Sequence, residues 1–268
     1  MVTWLSGKRT RYNSHFVFMR TDIPRVIASV EARMTSSRLP GKMLMDVGGK
    51  PVIIHVLDRL KRANTLDDII LATTTNPTDD VLASLAHDLG YRVFRGSEDD
   101  VLQRVVDAHN EMNSQVVVEI CGDCPLIDAS IVDRAVQTYL DNSCDVVAVG
   151  NRQSYPQGTE VQVFLFSAIL DIAKRIDDPA VREHVSLYFY ENQEEYEIIH
   201  LEAPDELRAP DIRLQLDYEE DLYLIREIYN VLEPKYGEYF GVHEIVDLLA
   251  TKPELMEINS HCEERLPR

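Results

Sequence analysis

The sequence predicts an α/β protein whose strands form a mostly parallel sheet. Short apolar segments, many of them rich in β-branched residues, alternate with amphipathic segments of about ten to fifteen residues, which is the pattern of successive βαβ units. The chain has 268 residues, of which 45% are hydrophobic and 27% charged, and this composition is ordinary for one globular domain. We therefore expect a single domain over residues 25–268 and a flexible lead-in over residues 1–24.

The first half of the chain alternates regularly between the two kinds of element. Strands are predicted at 26–31, 69–73, 92–94 and 115–120, and helices at 51–63, 78–89, 98–110 and 128–140. Gly90 follows the second helix, where a left-handed cap is expected. Ser97 is expected to cap the third helix, because serine accepts a hydrogen bond from the free N–H groups of a first turn.

The second half is predicted to continue this pattern. Strands are expected at 145–149, 160–166, 196–202 and 212–216, and helices from 167 and at 181–192, 219–232 and 242–250. Residues 151–165 are also expected to contribute a β-arm. Because open α/β sheets bind ligands at the carboxyl ends of their strands, the candidate functional residues are those that directly follow a strand.

Acidic residues outnumber basic ones by 46 to 27, which gives a net charge of −19. Such a field repels nucleic acids and anionic membranes, so neither is expected as a partner. No apolar run reaches the ~20 residues of a membrane span, residues 1–20 lack a signal-peptide pattern, and four cysteines are too few for a disulfide framework. We therefore expect a reduced, cytoplasmic protein, in which an anionic substrate needs a local cluster of cations.

Such a cluster follows the first predicted strand. Residues 32–42 (ARMTSSRLPGK), the basic loop, contain Arg33, Arg38 and Lys42 and no acid. Serine and glycine let backbone N–H groups approach an anion, and arginine and lysine add charge, so we predict a polyphosphate site. The segment lacks the Gly-x-x-x-x-Gly-Lys-Ser/Thr pattern of a Walker A loop, and a solvated basic turn is the alternative.

A second candidate segment, Cys121-Gly122-Asp123-Cys124-Pro125, directly follows the predicted strand QVVVEI. An acid at the end of a central strand can hold Mg²⁺ against nucleotide phosphates, and Asp123 is predicted to do so. The Cys-x-x-Cys spacing also suits half a zinc site or a redox pair. The chain has no second pair at a suitable spacing, which disfavours that alternative.

Other candidates have both a structural and a functional interpretation. Asp217 ends a predicted strand and precedes a helix, so it is either a helix N-cap or a second Mg²⁺ ligand beside Asp123. The threonines at 73–75 either contact a nucleotide or serve as strand formers. His184 is either a structural histidine or a substrate ligand. The acids at 98–100 are either a metal cluster or the start of a capped helix.

Together these segments resemble the sugar-activating cytidylyltransferases, the family that makes CMP-Kdo and CMP-sialic acid. The resemblance is carried by the basic loop and by residues 49–51, 122–127 and 216–222. Residues 94–104 and 182–185 look most like one branch, that of the spore-coat polysaccharide biosynthesis protein F. The similarity covers roughly residues 25–260, and Glu31 stands where the family usually has glutamine or proline.

The resemblance implies a Rossmann-like nucleotidyltransferase fold, a homodimer, and transfer of CMP from CTP to a sugar, expected to be acidic, with release of pyrophosphate. The product would serve the synthesis of surface polysaccharide or glycoconjugate. Mg²⁺ is the implied cofactor, held by Asp123 and Asp217. Arg33, Lys42 and Asp123 are the implied catalytic residues. The implied nucleotide contacts are Ala32, Arg33, Ser37, Arg38, Lys42, Thr73, Thr74, Thr75, Gly96, Ser97, Gly122 and Asp123.

On the acceptor side, the resemblance places Arg182 and His184 against the sugar. Three alternatives stay open. The first is a nucleotidyltransferase that uses another nucleoside triphosphate or a non-sugar acceptor. The second is a glycosyltransferase that uses a nucleotide-sugar, with residues 98–100 as its metal motif. The third is a nucleotide-binding subunit without catalytic activity.

Overall fold

The computed structural model describes residues 24–150 and 154–263. The strands of these residues are β1 (Val26–Glu31), β2 (Asp46–Val47), β3 (Lys50–Pro51), β4 (Asp68–Thr74), β5 (Arg92–Gly96), β6 (Val116–Cys121), β7 (Val146–Val149), β8 (Val161–Leu165) and β9 (Ile198–His200). The α-helices are α1 (Val52–Leu60), α2 (Asp80–Asp88), α3 (Val101–Glu111), α4 (Ala129–Asp141), α5 (Phe166–Arg175), α6 (Pro179–Glu183), α7 (Leu187–Glu191), α8 (Glu219–Tyr236) and α9 (Val242–Thr251).

Seven strands of the described residues form one sheet in the order β5-β4-β1-β6-β8-β7-β9, and β2 pairs with β3 in a separate hairpin. β5, β4, β1 and β6 are parallel, β8 is antiparallel to both of its neighbours, and β7 is parallel to β9. The predicted α/β class with a mostly parallel sheet is therefore confirmed. The strand order reverses at β1, because β4 pairs on one side of it and β6 on the other, which opens a crevice at their carboxyl ends.

Helices cover both faces of the sheet, which is why its central strands are almost entirely apolar. Val30 on β1 packs in a core with α1, α2 and α4, whereas Ile27 packs with α3 on the opposite face. α8 and α9 build a further core that includes Leu39, Leu126 and Leu216. This last core supports the segments that follow β1 and β6, and so it fixes the position of the basic loop relative to the sheet.

The predicted helix boundaries need two corrections. The helix expected at 181–192 is two short helices, α6 and α7, because His184 leaves the helical conformation with a ψ of 100°. The turn between them brings Val185 into the core. The predicted cap of α3 is also wrong, because the N-cap is Asp100, which accepts a backbone N–H three residues on at 2.9 Å. The Ser97 hydroxyl instead accepts the N–H of Asp100 at 3.1 Å.

Two strand predictions are also wrong. The segment 212–216 is extended but forms only one bridge, between Arg213 and Gln157. Its apolar alternation arises because every second side chain packs in the core with α8 and α9. The β-arm expected over 151–165 is likewise absent from the described part of that range, since β8 lies inside the sheet between β6 and β7. Residues 151–153 lie outside the described residues.

The lead-in predicted over residues 1–24 lies outside the described residues except for its last residue, Pro24, which is buried. β1 begins two residues later. Among residues 24–150 and 154–263, no helix is both long enough and apolar enough to cross a membrane.

A buried histidine on α3 makes the stability depend on pH. The Nδ1 atom of His109 lies 2.8 Å from the Ser114 hydroxyl, and Nε2 is buried without a partner among the described residues. Burial lowers the pKa of His109 to about 3, whereas an unfolded histidine titrates near pH ~6.5. Below pH ~6.5 the unfolded chain therefore binds a proton that the folded chain does not, and the free energy of unfolding falls as the pH is lowered.

We expect His109→Gln to remove this contribution. Between pH 7 and pH 5, urea unfolding should show the wild-type protein losing about 2 kcal/mol more stability than the variant. His87→Gln is the matched control, because the His87 imidazole is 82% exposed. The control should follow the wild-type curve. Identical pH dependence in His109→Gln and the wild-type protein would mean that His109 takes up its proton in the folded state.

Candidate active site

The carboxyl ends of β1 and β6 bring the first two candidate segments side by side. Glu31 and Cys121 are register partners at the ends of the two strands, and the N–H of Gly122 donates to the Glu31 carbonyl at 2.9 Å. A Cβ atom on Gly122 would lie 2.7 Å from that carbonyl oxygen and 2.8 Å from the Cβ of Ala32. Glycine therefore lets the turn that carries Asp123 lie against the start of the basic loop.

Gly122→Ala is expected to push the Asp123 turn away from β1, because a backbone carbonyl cannot yield to the added methyl group. We expect a loss of about 1–3 kcal/mol in stability, measured by urea unfolding, together with weaker binding of CTP, the nucleotide that the resemblance implies. Gly90→Ala is the comparison, because its methyl group meets no atom within 4 Å and only its φ of 81° is unfavourable. That variant should bind CTP normally. Normal CTP binding by Gly122→Ala would contradict the role of the close approach.

Lys42 stands at the centre of the site. Its ammonium group donates to Asp123 Oδ2 at 2.8 Å, to Asp217 Oδ1 at 3.0 Å and to the Leu216 carbonyl at 2.7 Å. Burial alone would lower the pKa of Lys42, but the charges and hydrogen bonds of the two carboxylates outweigh burial, and the pKa is raised. The side chain is therefore a buried ammonium ion that lies between two carboxylates.

Asp217 reaches the site from the extended segment 212–217. The N–H of Leu216 donates to the Asp123 carbonyl at 2.9 Å, so one backbone hydrogen bond joins two segments that are far apart in the chain. The Asp217 side chain is only 1% exposed. Tyr218, not Asp217, occupies the N-cap position of α8, and the N-cap interpretation of Asp217 is therefore wrong.

Three cations surround the Asp217 carboxylate. Besides Lys42, Arg38 donates to Oδ1 at 2.7 Å and Arg213 donates to Oδ2 at 3.0 Å. Arg213 also binds both carboxylate oxygens of Asp221, at 3.0 and 3.2 Å. The members of this ion cluster are Arg38, Lys42, Arg213, Asp123, Asp217 and Asp221. Three positive charges balance three negative ones, which is the condition under which buried charges are tolerated.

Arg33 belongs to the basic loop but not to the ion cluster. Its side chain is 38% exposed, and its contacts are long, at 3.5 Å to the Glu98 carbonyl and 4.0 Å to the Glu183 carboxylate. It therefore lies between the β5–α3 loop and α6 with donors available to a ligand. Arg33 can meet an incoming phosphate without giving up a short contact, whereas all three contacts of the Lys42 ammonium are short.

The other predicted nucleotide contacts differ in their access to solvent. They are the buried Ala32, Thr73, Thr74 and Gly122, the half-buried Gly96, and the exposed Ser37, Thr75 and Ser97. The Thr74 hydroxyl donates to Asp79, and the Thr75 N–H donates to the Gly96 carbonyl at 2.9 Å. The structure thus brings the ends of β4 and β5 together, and only the exposed hydroxyl groups of this set can reach a nucleotide without a rearrangement.

The two residues predicted to face the sugar lie near each other on α6 and in the turn after it. Arg182 donates to the Ala173 carbonyl at 2.7 Å and pairs with Asp100 at 3.3 Å, so it ties α6 to α5 and α3. His184 is half-buried, and burial lowers its pKa. Sugar binding by either residue stays a prediction.

The alternative metal and redox sites find little support among the described residues. Cys121 is an exposed residue with a crowded thiol, and Cys124 is a buried residue. Burial and the charge of Asp123 raise the pKa of both thiols, which is the opposite of what a zinc ligand or a redox cysteine needs. The Glu98 carboxylate accepts hydrogen bonds from two neighbouring side chains, and Asp100 caps α3. These acids are engaged in local structure.

Three residues of the site were not predicted, namely Arg213, Gln215 and Asp221. Gln215 Nε2 lies 3.5 Å from Asp123 Oδ1, and Arg213 belongs to the ion cluster. Both alternate with buried apolar residues in the same extended segment as Asp217. Polar residues at every second position of an extended segment share one face, and this alternation is the signal that would identify them. Asp221 lies within residues 216–222, one of the segments that carry the resemblance, although no role was predicted for it.

Comparison with known proteins identifies relatives along most of the chain. A cytidylyltransferase family model matches residues 27–244. The spore coat polysaccharide biosynthesis protein SpsF of Bacillus subtilis is 31% identical over 236 residues, which cover 85% of this chain and 95% of that protein. A 3-deoxy-manno-octulosonate cytidylyltransferase of Geobacter sulfurreducens is 32% identical over 119 residues, or 44% of this chain and 46% of its own.

Solved structures agree with this relationship. A cytidylyltransferase from Leptospira borgpetersenii has a TM-score of 0.82 at 26% identity and covers 91% of this chain and 100% of its own. A CMP:2-keto-3-deoxy-manno-octonic acid synthetase in complex with CTP has a TM-score of 0.59 at 17% identity and covers 77% of this chain and 98% of its own, which shows a shared fold. The implied nucleotidyltransferase fold is therefore confirmed, and this chain belongs to the cytidylyltransferase family.

Proposed function

We propose that this protein transfers CMP from CTP to a hydroxyl group of a sugar and releases pyrophosphate. The observation that carries the proposal is the position of the Lys42 ammonium between Asp123 and Asp217, in the same basic loop as the available donors of Arg33. This arrangement offers cations to a triphosphate and carboxylates to a divalent cation at one end of the sheet. The named relatives support the proposal, since one serves polysaccharide biosynthesis and another is a sugar cytidylyltransferase.

The reaction is an in-line displacement at the α-phosphorus. The acceptor oxygen forms a bond to that phosphorus, the bond to the bridging oxygen of pyrophosphate breaks, and the hydroxyl proton leaves the attacking oxygen for solvent. Arg33 and Lys42 would bind the β- and γ-phosphates and stabilise the charge that builds on the leaving pyrophosphate. Because Lys42 is already paired, binding of the triphosphate exchanges carboxylate partners for phosphate oxygens.

The two carboxylates of the site fit a divalent cation. Asp123 Oδ2 and Asp217 Oδ1 converge on one position, which the ammonium group of Lys42 fills, so the fold already places positive charge between them. Carboxylate oxygens are also ligands that Mg²⁺ prefers. Asp123 and Asp217 would hold the ion, which would neutralise phosphate charge when bound. The need for Mg²⁺ is part of the proposal.

Three finer features are proposed from the resemblance alone. They are a homodimeric assembly, a location in the cytoplasm, and an acidic sugar as acceptor. Size-exclusion chromatography with light scattering tests the first of these, and fractionation of cells tests the second. The class of acceptor is tested by measuring pyrophosphate release from CTP over a panel of acidic, neutral and amino sugars.

Thermal unfolding in Mg²⁺ with CTP, UTP, GTP or ATP tests the nucleotide. A ligand at 100 times its dissociation constant adds about 2.7 kcal/mol of stability, which raises Tm by about 5–11 °C at roughly 2–4 °C per kcal/mol. We expect the largest rise with CTP. A larger rise with another nucleotide would overturn the cytidylyl assignment. CTP binding without pyrophosphate release from any sugar would indicate a non-catalytic subunit, and hydrolysis of a nucleotide-sugar would indicate a glycosyltransferase.

A further inference from the structure

Three side chains of different metal-binding chemistry converge where the turn at residues 259–262 meets the first turn of α8. They are Glu220, His261 and Cys262, and their ligand atoms all lie within 4.8 Å of one another. Among residues 24–150 and 154–263, no other group of three histidine, cysteine, aspartate or glutamate side chains is brought together in this way. The fold therefore assembles a set of donors from two segments that are distant in the chain.

The geometry of the three side chains suits a tetrahedral metal ion. His261 Nε2 lies 3.5 Å from Glu220 Oε1, and two ligand atoms of a tetrahedral zinc ion are about 3.3–3.6 Å apart. The two side chains are 65% and 41% exposed, so they can rotate toward the Cys262 thiol without disturbing the core. Imidazole, carboxylate and thiolate are all established types of zinc ligand.

The Cys262 thiol must lose a proton to bind a metal. Burial, followed by the charges of Asp221 and Glu220, raises its pKa to about 11. The acids that oppose a thiolate also attract a divalent cation, and a coordinated thiol is deprotonated by the ion itself. Cys121 and Cys124 differ in one respect, because within the described residues neither belongs to a group of three donors at this spacing.

Asn259 ties the turn that carries two of the donors to the ion cluster. The Asn259 side chain is buried, and its amide donates to the Arg213 carbonyl at 3.1 Å and to Asp221 Oδ1 at 2.8 Å. The N–H of Cys262 donates to the Asn259 carbonyl at 3.0 Å. Cys262 also lines a cavity of about 350 Å³, so a water molecule has room to complete the coordination. The position of the turn is thus set by contacts that need no metal.

We propose that Glu220, His261 and Cys262 form a second metal site, which binds a thiophilic divalent cation such as Zn²⁺ and fastens the turn at 259–262 to α8. Thiolate and imidazole favour zinc, whereas Mg²⁺ prefers oxygen ligands such as those of Asp123 and Asp217. The two sites therefore select different cations. This inference goes beyond the proposed transfer of CMP and does not depend on it.

Cobalt(II) tests the ligand set directly, because it occupies zinc sites and its absorption reports its ligands. A thiolate bound to Co²⁺ gives a sulfur-to-metal charge-transfer band in the near ultraviolet. We expect one equivalent of Co²⁺ to produce this band in the reduced protein in the presence of excess Mg²⁺. Cys262→Ser should abolish the band. Cys144→Ser is the matched control, because it removes another half-buried thiol and should leave the band unchanged.

Zn²⁺ binding tests the other two donors and the stabilising role. Zn²⁺ at 100 times its dissociation constant should raise Tm by about 5–11 °C. His261→Gln and Glu220→Gln should each weaken Zn²⁺ binding at least about tenfold, since even the loss of an outer partner of a ligand often has that effect. The matched controls are His243→Gln, which removes another exposed imidazole, and Glu219→Gln, which removes an exposed acid of the same turn. Both should bind Zn²⁺ as the wild-type protein does.

Three results would overturn the proposal. They are a Co²⁺ complex without the charge-transfer band, a band that persists in Cys262→Ser, and Zn²⁺ affinities that are equal in the ligand variants and their matched controls. A band that persists in Cys262→Ser would assign the metal to another thiol of the chain. Because none of these measurements uses CTP, their outcome is independent of whether the CTP experiments support the proposed transferase activity.

Discussion

Replacing Asp123 with asparagine is expected to lower the rate of pyrophosphate release by at least about a hundredfold while the fold is preserved. Asparagine has the size of aspartate, and Lys42 would keep its contacts with Asp217 and the Leu216 carbonyl. What is lost is a negative charge at the turn after β6, where the proposed mechanism places the cation that neutralises the phosphates. The affinity for CTP without Mg²⁺ should not weaken, since the change removes a charge that repels the triphosphate.

The measurement is steady-state pyrophosphate release with CTP and the best acceptor of the sugar panel, alongside thermal unfolding. Asp99→Asn is the matched control, because Asp99 is an exposed acid of the alternative metal motif at 98–100. The control should keep full turnover. If Asp123→Asn turns over at the wild-type rate while Asp99→Asn does not, the metal site lies at 98–100 and the mechanism proposed for Asp123 is wrong.

Replacing Arg213 with methionine should produce the largest loss of stability in the site. Its guanidinium lies between Asp217 and Asp221, both almost fully buried, and each would lose a charged partner. Removing one member of a buried ion pair typically costs about 3–5 kcal/mol. At roughly 2–4 °C per kcal/mol, Tm should fall by about 6 °C or more.

The comparison is Arg92→Met, which removes a largely exposed ion pair with Asp68 at 3.6 Å. Exposed pairs contribute less than about 1 kcal/mol, so that variant should unfold close to the wild-type temperature. Adding Asp221→Asn to Arg213→Met should recover part of the loss, because one unpaired charge is then gone. Equal Tm values for Arg213→Met and Arg92→Met would mean that the ion cluster contributes no net stability.

The alternation of strands and helices could be predicted where the apolar residues of a segment are buried by the sheet and its covering helices. β1 and β6 are buried on both faces, and their mostly apolar runs, VIASVE and VVVEIC, identify them. The segment 212–216 has the alternation of a strand, but its buried side chains pack on helices. An extended segment shows the same alternation whether or not it pairs with another strand, so periodicity does not distinguish the two cases. The break at His184 depends on Val185 reaching the core, which is a tertiary contact that local sequence does not record.

The sequence predicted the separate segments of the candidate site but not the contacts between them. The charge of the basic loop and the position of Asp123 after a strand identify both segments. The sequence does not show that Lys42 binds both Asp123 and Asp217, because that geometry depends on segments far apart in the chain.

The hydrogen bond from the Leu216 N–H to the Asp123 carbonyl also bears on how such a protein can diverge. It holds the two carboxylates of the site together directly, whereas α4 to α7 and β7 to β9 leave that point and return to it. This intervening stretch is not a separate insertion, because β8 pairs with β6 inside the central sheet. Its loops, however, take no part in the hydrogen bond that joins the two segments. Changes of length in those loops therefore leave the spacing of Asp123 and Asp217 intact, so the loops can vary while the carboxylate pair is kept.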